Sequence, residues 1–186
     1  KKDMINDYVA IVQEAGLNPV VMDVDSFAIE NAFEVNYDLS PDDTVVLVNI
    51  GASIININVL RGGLTAFTRD ITLGGNQYTE EIQKQLNVSY EEAEALKIGG
   101  DIVRDSQAVV PEEVEQIIRA VSENVATEIQ RSLDFYAATS TEDEISRIFL
   151  GGGSSRVPGL TRVIQDKTGL PVELVNAFRK IEINEK

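Results

Sequence analysis

At 186 residues, with 43% hydrophobic and 25% charged residues, the chain is long enough for one compact domain or two small lobes, and its composition is globular rather than disordered. It carries 16 basic and 31 acidic residues, a net charge of −15, which repels a phosphate backbone and argues against direct binding to nucleic acid or to a bare anionic membrane. Cysteine and histidine are absent, which excludes disulfides, Cys/His zinc sites and Ser-His-Asp or Cys-His catalysis; any chemistry falls to carboxylates, amides, hydroxyls, backbone N–H groups and a bound metal.

The opening Lys1-Lys2-Asp3 is no signal peptide, and no apolar run approaches the roughly 20 residues that cross a bilayer. The chain is therefore expected to be a cytoplasmic piece of a longer protein. Apolar residues at Met4, Ile5, Tyr8, Val9, Ile11 and Val12 predict an amphipathic helix ended by Gly16. Pro19 to Met22 reads as a short strand, and Asp25 or Ser26 caps a helix from Phe27 to about Tyr37. The period then changes. Thr44–Ile50 is a nearly continuous apolar run, as in a strand buried on both faces; Ile55, Ile57 and Val59 alternate with Asn56 and Asn58; Leu64–Ile71 is a third strand. With turns at Gly51-Ala52-Ser53 and Gly62-Gly63, residues 44–71 predict a three-stranded antiparallel meander.

Gly74-Gly75 closes the meander and a helix follows at 77–86. Ser89 and Glu92 have capping-box spacing for a helix that ends at Gly99-Gly100. Pro111 begins a long helix to about Tyr136, with Val114, Ile117, Ile118, Val121, Val125, Ile129 and Leu133 on one face. A polar loop over 139–144 leads to a strand at 145–150, the run Gly151-Gly152-Gly153-Ser154-Ser155, a helix at 159–168 and a strand at 172–175. The order predicts an α/β fold.

Two glycine turns each follow a strand. At Asn49-Ile50-Gly51-Ala52-Ser53 the missing Cβ lets backbone N–H groups approach a phosphate, with the Ser53 hydroxyl beside them; the same turn also serves as a plain hairpin. Gly151 to Ser155 joins strand to helix, where unpaired N–H groups favour an anion or a ligand edge; the run is neither a Walker loop nor the spaced dinucleotide fingerprint, and it also reads as a tightly packed helix cap. Glu94 and Lys97 stand three apart on one helical face, as a ligand-facing pair or a surface ion pair. The acidic runs at Glu91-Glu92, Glu112 to Glu115 and Glu142-Asp143-Glu144 read as solvated faces.

In this order the segments resemble the nucleotide site of the actin–Hsp70–sugar kinase superfamily, which has a ribonuclease H-like fold. The turn at 49–53 is similar to its second phosphate loop, Ala93-Glu94-Ala95-Leu96-Lys97 to its adenosine helix, and Ile148 to Leu160 to its adenosine loop. Asp23-Val24-Asp25-Ser26-Phe27-Ala28, Val48 to Ser53, Phe67-Thr68-Arg69-Asp70-Ile71 and Leu133-Asp134-Phe135-Tyr136 are most similar to PilM, the type IV pilus assembly family. An FtsA-like cell-division actin homologue and a small-molecule kinase or ATPase of the same superfamily are the alternatives.

The resemblance implies that residues 1–38 end a first lobe and supply the interdomain helix, and that 39–186 form the second, nucleotide-binding lobe with a smaller helical subdomain. It implies ATP or ADP with magnesium in the intact protein, and no catalytic residue or protein metal ligand assigned in this chain. The implied contacts are Asn49, Gly51, Ala52 and Ser53 at phosphates, Glu94 and Lys97 at ribose and base, and Gly151, Gly152, Gly153 and Ser154 at adenosine. The implied partners are the cytoplasmic tail of PilN and other inner-membrane and motor proteins of the pilus machine, with the membrane reached only through them. Many superfamily members carry aspartate where Asn49 stands. An amide helps magnesium less but still donates to a phosphate, so hydrolysis is expected to suffer more than binding.

Overall fold

The computed structural model describes residues 2–99, 112–140 and 144–182. Five strands form one mixed sheet: β1 (Thr44–Ile50), β2 (Ile55–Arg61), β3 (Leu64–Ile71), β4 (Ile145–Gly151) and β5 (Val172–Leu174), in the order β3-β2-β1-β4-β5. β1, β2 and β3 are the expected antiparallel meander, while β4 lies parallel to β1 and β5 parallel to β4. The helices are α1 (Lys2–Glu14), α2 (Asp25–Asn36), α3 (Gly75–Leu86), α4 (Tyr90–Ile98), α5 (Glu112–Thr139) and α6 (Leu160–Thr168).

Strand alternation sorts the core onto two faces. Val46, Val48, Ile50, Ile55, Ile57 and Val59 pack with the α5 stripe of Val114, Ile117, Val121, Val125, Ile129 and Leu133. Opposite, Val45, Leu47, Leu60 and Phe149 pack with Phe33 of α2, whose ring stacks on Tyr37 at 4.4 Å. Burying each large apolar side chain stabilises the fold by on the order of 1.5–3 kcal/mol, so this two-sided core fixes the ends of β1 and β4 that carry the glycine turns.

Three expectations need correcting. Residues 19–22 form no strand; Val20 is 83% and Val21 80% exposed, because a strand needs a neighbour to pair with and none of the described strands lies beside it. Neither Asp25 nor Ser26 caps α2. Its cap residue is Val24, with no side-chain cap bond, and Asp23 accepts instead from the Val24 N–H at 2.8 Å. The helix expected at 77–86 begins two residues earlier, at Gly75, with Gly74 as its cap residue. The capping box of α4 is formed in both directions, between Ser89 and Glu92, and Gly99 ends the helix in the left-handed region. Gly100, Pro111, and Glu142 and Asp143 of the third acidic run lie outside the described residues. α1 buries none of its residues, and no described helix is long and apolar enough to cross a membrane.

Candidate functional site

The first turn of α3 is where the three predicted segments meet. Its two leading amides are capped by the β1–β2 turn: Gly75 N–H donates to the Gly51 carbonyl at 2.9 Å and Asn76 N–H to the Ala52 carbonyl at 2.8 Å. Helix-end amides left unpaired by helical bonding are thus satisfied, and the turn is held to the helix. A Cβ on Gly74 would stand 2.6 Å from the carbonyl oxygens of Gly51 and Ala52, and one on Gly75 would overlap the Ser154 hydroxyl, so only glycine allows this approach. Ser154 Oγ donates to the Gly51 carbonyl at 3.1 Å, tying the loop after β4 to the same point.

From the other side comes α4. Lys97, 6% exposed, directs its ammonium to the Gly75 carbonyl at 3.3 Å, to Thr79 Oγ1 at 3.0 Å and to Glu94 Oε2 at 2.6 Å. Its three donors are therefore all used inside the protein. Thr79 Oγ1 also donates to Glu94 Oε2 at 2.7 Å. Burial pushes the Glu94 carboxyl up, but the hydrogen bonds from Lys97 and Thr79 and the charge of Lys97 outweigh it and hold the group below its ordinary value. The Glu94 side chain is 35% exposed, and Lys97 and Thr79 both engage Oε2.

In the turn, Gly51 N–H closes onto the Ile54 carbonyl at 3.0 Å, so this amide is already engaged. The amides of Ala52 and Ser53, both exposed, have no protein acceptor among the described residues. Ser53 Oγ accepts from Asn76 Nδ2 at 3.1 Å and keeps its own proton to donate. Asn49, expected to donate to a phosphate, instead donates from Nδ2 to Asn56 Oδ1 at 3.0 Å, and Asn56 Nδ2 donates to Asp70 Oδ1 at 2.8 Å. Gly151 is the parallel partner of Asn49 across the β1–β4 seam. Gly152 has φ +85°, and a Cβ there would overlap the Ile50 carbonyl and lie 2.7 Å from Asn49 Oδ1. Gly153 begins a short 3₁₀ turn with open space around it.

Thus Gly51, Ala52, Ser53, Glu94, Lys97 and Ser154 surround the start of α3, with Asn49 and Gly151 to Gly153 on the adjoining seam. A cleft of about 960 Å³ between α4, α5 and α6, with Leu96, Ile118, Pro158 and Arg162 in its walls, is lined by none of these residues. Four residues that help to build this arrangement were not among the predicted contacts. Thr79 carries no motif, Gly75 was noted only as part of the pair that closes the meander, Asn56 only as a polar residue of an alternating strand, and Asp70 only within a PilM-like segment.

A family model described as type IV pilus assembly protein PilM matches residues 1–186. The chain belongs to the PilM family. A solved chain titled as the PilM-PilN type IV pilus biogenesis complex shares the fold, with a TM-score of 0.75 and 30% identity over 90% of this chain and 46% of that one. The ethanolamine utilization protein EutJ from Carboxydothermus hydrogenoformans matches with TM-score 0.67 and 20% identity, over 89% of this chain and 54% of its own. MreB 5 of Spiroplasma citri, solved bound to AMPPNP, gives 0.64 and 15%, over 91% and 59%. The last two likenesses show the fold alone, that of the actin-like ATPases. This PilM family chain spans about half the length of the solved relatives it matches.

Proposed function

We propose that this chain is the nucleotide-binding half of a cytoplasmic actin-like scaffold for type IV pilus assembly. Residues 1–38 end the first lobe and 39–186 form the second. The observation that carries this reading is the meeting of the β1–β2 turn, the loop after β4 and the Glu94–Lys97 pair at the first turn of α3, in a chain of the PilM family. The free Ala52 and Ser53 amides and the Ser53 hydroxyl meet ATP or ADP phosphates, with Gly51 shaping the turn. Glu94, held by Lys97, takes ribose hydroxyls; Gly151, Gly152 and Gly153 let the adenosine pass close to backbone, and Ser154 fixes that loop. The exposed apolar residues of α1 and 17–27 pack against the remainder of the first lobe.

The residues fit a magnesium ion that is carried by the phosphates and keeps its own waters. No group of three or more acidic side chains offers direct coordination among the described residues, while Asn49 Oδ1 faces the seam with no protein donor. When bound, the ion neutralises phosphate charge. In the intact protein nucleotide contacts on both lobes favour closure, and the scaffold docks the cytoplasmic tail of PilN, coupling the motor to the inner-membrane platform. Calorimetry tests the reading. Full-length protein binds Mg·ATP, Glu94→Ala weakens it, and residues 1–186 alone bind it poorly. Micromolar binding by residues 1–186 alone, or none by the full-length protein, overturns it.

A further inference from the structure

One row of polar side chains crosses the sheet. Asp70 on β3 is the register partner of Asn56 on β2, Asn56 of Asn49 on β1, and Asn49 of Gly151 on β4. The hydrogen bonds run along that row in a single direction. A carboxylate oxygen only accepts, so Asn56 must turn its NH₂ toward Asp70; its carbonyl then faces Asn49, which must answer with its own NH₂. Nothing is left for the Asn49 carbonyl oxygen but the far end of the row. There a Cβ on Gly152 would stand 2.7 Å from it and one on Gly151 3.9 Å from it, while no described donor satisfies it. Asn49 is only partly buried and Asp70 is exposed, so the row is anchored in solvent at one end and opens onto the nucleotide seam at the other.

We infer that Asp70 is a positioning residue that sets the amide of Asn49 oxygen-first at the seam between the two glycine turns, so that this position takes a hydrogen-bond donor, the water shell of a divalent cation, and not a bare phosphate oxygen. The inference rests on the nucleotide reading for the ligand and on the row alone for the orientation. An amide with a neutral partner in place of Asp70 has no imposed direction: either end of each asparagine satisfies the next. The direction of the row, set by a carboxylate two strands away, replaces the acceptor that a carboxylate at position 49 would provide.

The test uses the full-length protein as wild type, Asp70→Asn and Asn56→Ser, the latter cutting the row in its middle. ATP affinity is measured by calorimetry with Mg²⁺ and again in EDTA, and the side-chain NH₂ resonances of Asn49 and Asn56 are followed by ¹⁵N NMR without nucleotide. In wild type Mg²⁺ tightens ATP binding and the Asn49 NH₂ is protected from exchange. In both variants the gain from Mg²⁺ falls by about threefold to tenfold, the worth of one hydrogen bond, with affinity in EDTA unchanged. The Asn49 NH₂ loses its protection in both. A purely structural role for Asp70 lowers thermal stability and leaves the Mg²⁺/EDTA ratio alone, and that outcome overturns the inference. Wild-type protein that binds ATP in neither medium sinks the nucleotide reading instead. The NMR arm then decides the orientation by itself: unchanged Asn49 protection in Asp70→Asn refutes the row.

Discussion

Replacing Lys97 by Met tests whether the ammonium holds α4 to α3. Met keeps most of the apolar stem in its buried place and removes the charge. Three interactions go. The bond to the Gly75 carbonyl and the bond to Thr79 Oγ1 are buried and together contribute about 1–3 kcal/mol. The ion pair with Glu94 adds less than about 1 kcal/mol, because that carboxylate is about a third exposed and screened by water. Against this, the cost of keeping an ammonium out of water disappears. The net loss expected at pH 7 is about 1–2 kcal/mol, read as a shift of the urea midpoint at constant slope. The loss has a pH signature. Lys97 helps hold Glu94 below its ordinary value of 4.5, so the stabilisation is complete above 4.5 and is lost as pH falls through the lowered folded value. The gap between wild type and Lys97→Met therefore narrows as the pH falls below 4.5, by no more than the ion pair's share, while the part owed to Gly75 and Thr79 persists. A gap that stays constant with pH, or a variant as stable as wild type at pH 7, refutes the assignment.

The triple glycine is not uniform. Gly152→Ala puts a Cβ against the Ile50 carbonyl at φ +85° and costs at least about 2 kcal/mol by thermal or chemical denaturation, whereas Gly153→Ala meets open space and stays within about 1 kcal/mol of wild type. Equal effects at the two positions contradict this account. Tyr78, buried between α3 and α5 with its hydroxyl 3.1 Å from Ser122 Oγ, is pushed up to about 12 by burial, against a smaller opposite effect of the Ser122 bond. A raised folded value leaves its stabilisation intact below 10.0 and removes it as pH rises from there toward 12. Tyr78→Phe then costs about 1 kcal/mol at neutral pH, and its tyrosinate absorbance overlays that of wild type until about pH 11, diverging only above it. Divergence already near pH 10 speaks against a buried hydroxyl.

Periodicity made the scaffold readable. The α5 stripe from Val114 to Leu133 is a long run of one helical face, and the shift to alternation at Thr44 marks the meander, so both were legible without coordinates. The candidate residues were found from the order of the two glycine turns and the Glu94–Lys97 pair along the chain, which resembles a known nucleotide site, each segment alone having a plain structural reading. What joins them was not legible. Gly75 and Thr79 act through a carbonyl and a hydroxyl whose partners are 22 and 18 residues away in α4, a relation no local pattern encodes. Asn56 and Asn58 look like the solvent face of an alternating strand, yet they are 8% and 2% exposed. Asn58 donates to Glu30 of α2, 28 residues earlier in the chain, and Asn56 is engaged by Asn49 and Asp70 on the neighbouring strands. Residues 19–22 failed in the opposite sense: β-branched residues after a proline satisfy the local rule for a strand, but pairing is supplied by a neighbour or not at all.

The hydrogen bond from Ser154 to the Gly51 carbonyl joins residues 103 positions apart. On a ribosome adding about 5–20 residues per second, the 103-residue interval means the first turn waits on the order of 5–20 s for its counterpart. The meander and α3 can pair during that interval from local contacts alone, while the seam between β1 and β4 cannot close. On the proposed nucleotide reading, ligand affinity is therefore acquired late in synthesis, and a nascent chain halted before β4 carries the β1–β2 turn on an unsealed sheet edge, the state in which a chaperone would find it.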